Sequence, residues 1–247
     1  MLRNFDEVIF LALKQAFANN PGRLRKERSE KFLNKMNIKI NPQLPVIGDE
    51  NEAKIKSPEK ALRRAVTALF ASQIAMDCMN EGADIRESAA FFGEMLARFG
   101  LTEEPTPDEK AFFALADENV SAPPQEAAGN MAWRIEMTVP VLWALGIVKE
   151  LGYPDKVSEY IAEAREIVSC KNFDELMTLV DMRTPLKILD KADLLFRMDW
   201  ACVDARLKGI DPSGNLNPDV VVEQHKGLNW LIGAFDAEDW DNVKPHT

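Results

Sequence analysis

Histidine is scarce in this chain, with only His225 and His246 among 247 residues, and that excludes a multi-histidine metal centre. Cysteine is nearly as rare. Cys78, Cys170 and Cys202 are odd in number and far apart, so they make neither a disulfide framework nor a CxxC metal site, and a reducing compartment fits them best. Apolar runs long enough to span a membrane are missing. The first residues, MLRNFDEVIFLALKQAFANN, carry Asp6, Glu7 and Lys14, so they lack the clean apolar centre of a signal peptide. A cytoplasmic protein without a membrane partner is expected. GxSxG, GxGxxG, P-loop and HExxH patterns are also absent, which removes the usual fingerprints of hydrolase elbows, nucleotide sites and zinc proteases.

What is abundant is acid. The net charge of −10 and a pI near 4.9 argue against nucleic acid, because phosphate binding needs a concentrated cationic surface. One local exception is RLRKERSEKFLNK, residues 23–35. It reads either as a helix face that meets acidic surface elsewhere on the same molecule or as a basic groove for an anionic ligand. With 46% hydrophobic residues the chain can bury a large core.

Helix signals dominate, and few segments alternate with period two, so any sheet is minor. Phe5, Val8, Ile9, Ala12, Leu13 and Ala16 form one apolar stripe, which Pro21 and Gly22 are expected to end. Further helices are expected over 23–37, from the Ser57 cap with Pro58 to Asn80, and from the Asp84 and Thr106 capping boxes. The segment 40–57 reads as an extended crossing. Gln125 to Leu151 is the most apolar helix, buried on every side between Met137 and Val148, with a kink expected at Pro140. Shorter helices follow near 155–168 and 172–181, and Asn217 with Pro218 opens the last one. The expected architecture is all-α, an irregular multi-helix bundle around a buried, Pro-kinked core helix. Residues 1–22 form an N-terminal helical extension and residues 23–247 a single α-helical domain.

Charge inside the apolar helices marks the candidate site. At about 100° per residue, Asp190, Asp193, Arg197 and Asp204 fall within an arc of roughly 60° on one helix, bordered on both sides by apolar residues. Such a stripe points into protein, and Arg197 pairs with Asp193 at i, i+4 spacing. Arg134 and Glu136 on the core helix, and Glu223, His225 and Asn229 on the last helix, are the candidate partners, with Arg134 expected to meet Asp190 or Asp204. Three readings stay open for this cluster. It is a structural network that fixes helix register, a site in which Asp190, Asp193 or Glu223 with His225 holds a divalent ion or works as a carboxylate pair, or a charged pocket that binds a polar ligand or partner segment through Arg134 and Arg197. Cys202 lies away from the stripe and reads as a small core hydrophobe.

RKERSEKFLNKMNI, KSPEKALRRAVTAL, WRIEMTVPVLWALG, LDKADLLFRMDWACVDARLKG, VVVEQHKGLNWLIG and DWDNV, in that order, resemble the bacterial domain-of-unknown-function family 4272. The resemblance runs from about Arg25 to the C-terminus and is most specific in the WRxE, ADLxxRxxWxxxDAR and ExHxxLNWL blocks. It implies a bacterial cytoplasmic protein and brings no activity, cofactor or resident metal. The missing catalytic motifs and the acid excess favour a non-enzymatic binding module for a protein with a basic surface. A carboxylate-based, metal-assisted hydrolase is the first alternative. A structural subunit of a homo-oligomer, with five tryptophans and ten methionines to supply contacts, is the second.

Overall fold

The computed structural model describes residues 20–47, 53–80, 84–117 and 124–247. The apolar stripe expected between Phe5 and Ala16 lies outside the described residues. Nine α-helices and no strand occur among those described: α1 Pro21–Lys35, α2 Pro58–Cys78, α3 Ile85–Arg98, α4 Pro107–Asp117, α5 Gln125–Ala144, α6 Ile161–Ser169, α7 Phe173–Met177, α8 Pro185–Leu207 and α9 Pro218–Ile232.

Local chemistry sets most of the helix starts. Ser57, Asp84, Asn172, Thr184 and Asn217 each accept a backbone N–H of the first turn, and Pro58, Pro185 and Pro218 occupy positions that need no donor. Thr106 and Glu109 form a reciprocal capping box at α4. Pro21 differs from the expectation. It opens α1 behind the Asn20 cap, because its missing N–H is harmless in a first turn, whereas Gly100 at φ +64° does follow α3 as expected.

The core helix α5 is buried at every position from Ile135 to Val148, including the turn beyond its last residue. It stops at Ala144, seven residues before the expected Leu151, although it does continue through Pro140. Two causes end it. Gly146 has φ +80°, with the Asp181 carbonyl where a Cβ would stand, and the carbonyls of Ala144 and Leu145 accept the N–H groups of Arg183 and Asp181. The end of α9 is finished in the same way, by Lys54 and Lys56 donating to Ile232 and Leu231. Two other helices are also shorter than expected, α6 beginning at Ile161 and α7 ending at Met177. Ser158 is tied to Glu136 through both its N–H and its hydroxyl, which holds the chain before α6 out of helical form.

Helix α5 packs against α2 on one side and α9 on the other, α9 packs on α8, and α8 packs on α1. So α8 is sandwiched. One face meets α1 and residues 38–47, and the opposite face meets α9. This layering decides where every charge on α8 goes.

Candidate functional site

The charged stripe of α8 meets the basic helix α1, not the core helix. Arg25 and Arg28 both reach Asp190, with Arg28 at 2.6 Å, so the RLRKER stretch is the face that meets acid on its own molecule. Asp193 and Arg197 form the expected i, i+4 pair with two contacts of 2.9 Å, both fully buried, and Arg197 also donates to the Pro45 carbonyl at 3.0 Å. Asp204 is bracketed by Lys39 and Lys208, each 2.7 Å away. Those hydrogen bonds hold its carboxyl below the ordinary aspartate range.

The remaining expected residues are dispersed. Glu136 is buried and accepts from Ser158 and Gln224, and no cation among the described residues pairs with it. His225 does not join the stripe. Its Nδ1 stands 2.9 Å from Asp199, which also accepts from the Thr247 hydroxyl at 2.8 Å. Nine residues from Asp190, Asp199 sits about 180° around the helix. Its signal in the sequence is a lone acid on the apolar face it shares with Phe196 and Cys202. On that face burial, and after it the Asp199 charge, push the Cys202 thiol up to about 12, so it is an inert core residue. Among the described residues Asn229 reaches only the Lys244 carbonyl, at 3.5 Å. The expected single network is therefore a set of separate pairs. Asp190, Asp193, Glu223 and His225 do not converge on one point, and no group of three metal-ligating residues occurs among the described residues.

Two of the expected residues do share an opening. Arg134 and Glu223 line a cleft of about 450 Å³ between α5 and α9, closed at one end by the turn Trp240–Asn242. Trp133 and Arg134 come from WRIE, Glu223 and Lys226 from EQHK, and Trp240 and Asp241 from DWDNV. Arg134 donates to Asp241 and to Asp108, and Lys226 lies 2.6 Å from Glu223. Burial alone would lower the Arg134 pKa, but these two carboxylates hold it above its usual value. Trp133 is 39% exposed at the mouth. Trp240 is buried, edge-on against Trp230, and its indole N–H has no acceptor among the described residues. The chain belongs to the DUF4272 family. The match to this domain of unknown function covers residues 25–243, nearly the whole chain, and takes in every block that lines the cleft. No curated protein and no solved structure matches it.

Asp241 ties the cleft to the start of α4. Its carboxylate accepts the Asp108 N–H at 3.1 Å as well as Arg134, at the positive end of that helix. Burial raises its pKa, and the bonds to Arg134, Asp108 and Thr106 outweigh that and hold it below the ordinary value. A depressed folded-state pKa means that the stabilisation is complete above the unfolded value near ~4 and is lost as pH falls through the lower folded value. Asp241→Asn should therefore lower stability at neutral pH by about 2 kcal/mol and flatten its fall below about pH 4, read from urea midpoints at each pH. A parallel fall in both proteins would show that Asp241 contributes nothing to it.

Proposed function

We propose that this DUF4272 protein is a non-enzymatic binding module whose α5/α9 cleft takes a basic segment of a partner protein in the bacterial cytoplasm. The observation that carries this reading is a buried donor beside an excess of acid. Asp219, Glu223 and Asp241 line the cleft against Arg134 and Lys226, and Arg134 is already divided between Asp241 and Asp108. Asp219 is exposed at the first turn of α9 and has no cationic partner among the described residues. A Lys or Arg side chain would lie between these carboxylates and the exposed face of Trp133. The peptide carbonyl next to it would supply the acceptor that the Trp240 N–H lacks.

Three free thiols suit a reducing cytoplasm, and no described helix is long and apolar enough to cross a membrane. Octalysine and octaglutamate are suitable probes, with tryptophan fluorescence read at low and high salt. Octalysine should bind at low salt, and Asp219→Asn with Glu223→Gln should weaken it at least about fivefold. Glu94→Gln with Glu103→Gln, two exposed acids outside the cleft, serves as the control. Equal loss in the control pair would reduce the effect to general acidity and overturn the assignment of the cleft.

A further inference from the structure

A second opening lies on the far side of α2, away from the cleft. It is a groove of about 750 Å³ between α2, α3 and α6, and its size suits a small molecule. Its floor is apolar. Leu69, Phe70 and Phe92 are buried beneath it, and Tyr160, Ala164 and Val168 form the α6 wall. Large apolar side chains stay uncovered along the mouth, with Phe91 45% and Ile161 64% exposed.

The polar end of the groove carries a net negative charge. Asp77 is half-buried there and accepts Gln73 Nε2 at 2.9 Å and Ser88 Oγ at 2.7 Å, both neutral donors. No Lys or Arg among the described residues pairs with it. Asp77 also stands in the last turn of α2, which carries no basic residue, so the negative end of a 21-residue helix adds to its charge. Asp84 and Glu87 line the same end, Asp84 being matched by Arg86, and the lining holds Arg165 as its cation. The uncompensated charge reaches the neighbours. Burial first, then Asp77 and Asp84, push the Cys78 thiol up to about 11, and burial with Glu136 and Asp77 raises the Tyr160 hydroxyl to about 12.

We propose that this groove binds a small amphiphilic amine, with its apolar body on the Phe70 and Phe92 floor and its ammonium against Asp77. An anionic amphiphile of the same length has the same floor but meets the wrong charge. That contrast makes the test. Octylammonium, octanol and octanoate, titrated by calorimetry at low salt, share one apolar body. Octylammonium should bind at least about tenfold tighter than octanoate, with octanol between them. Asp77→Asn should bring the three within about threefold of one another. Arg165→Ala, an exposed change that leaves folding alone, should strengthen octylammonium and weaken octanoate further. Val168→Trp should close the groove to all three. Octanoate binding as tightly as octylammonium, no binding by any of the three, or an unchanged preference in Arg165→Ala would overturn the proposal. Octalysine binding in the α5/α9 cleft should be unaffected by Val168→Trp, which keeps the two sites distinguishable.

Discussion

Arg197→Ala should lower the unfolding free energy by about 3–5 kcal/mol, measured by urea denaturation at neutral pH. Asp193, fully buried on the same helix, takes both of its close contacts from this guanidinium, and the Ile47 N–H at 3.5 Å is too long to replace them. Truncation therefore leaves a buried carboxylate without its cationic partner. The pair itself need not stabilise, because desolvating both ions costs about as much as their attraction returns. Asp193→Leu combined with Arg197→Met should accordingly recover to within about 1 kcal/mol of the parent protein. Such a result identifies the pair as a register device between α8, α1 and the Pro45 segment. An unchanged midpoint in Arg197→Ala alone would refute the burial argument.

Gly227→Ala should be harsher for its size than any other single change to the helix contacts, costing more than about 3 kcal/mol or preventing folding. A Cβ on Gly227 would stand 2.0 Å from the Met137 carbonyl oxygen and 3.1 Å from Pro140 Cγ. The obstacle is backbone, so no side-chain rotation relieves it. Helices α5 and α9 touch through this glycine, and pushing them apart would also move Glu223 and Lys226, one turn or less away, from Arg134. Thermal unfolding measures the first effect and octalysine binding to any folded fraction the second. Gly129→Ala, in the facing helix α5, is the matched control. Nothing lies within 4 Å of its added Cβ, so the helix should gain about 0.5–1 kcal/mol from the same chemical change. Equal effects at the two glycines would show that α5 and α9 are not as close as described.

The three readings of the candidate cluster fall on different residues. Asp193 with Arg197 belongs to the structural reading, closed off and buried. Of the two arginines in the pocket reading, Arg134 lines a cleft with Glu223, Trp133, Trp240 and Asp241, whereas Arg197 is buried with Asp193. His225 takes part in neither. It is held by Asp199 and covered at that carboxylate by Thr247, and its ring lies 5.6 Å from the ring of Phe196.

Local rules made much of the fold legible. The caps at Ser57, Asp84, Thr106, Asn172 and Asn217, the all-round burial after Ile135, and the Asp193–Arg197 pair all depend on residues within four positions of each other. Helix geometry fixes those spacings, whatever the rest of the chain does. The ends of α5 and α9 were not legible in the same way, because their last carbonyls are taken by residues 181–183 and 54–56, far along the chain. A helical pattern continues past such a point until a distant segment intercepts it.

The sequence by itself determined the helices, most of their starts, the buried core helix and the fact that charges were concentrated on particular faces. Tertiary structure alone decided which charges meet. Arg28 finds Asp190 across 162 positions, Arg134 finds Asp241 across 107, and His225 finds Asp199 across 26. Each depends on which face of one helix docks against another, and that choice is made by the whole apolar surface at once. A charged residue shows in sequence that it needs a partner, whereas the packing of the cores supplies one.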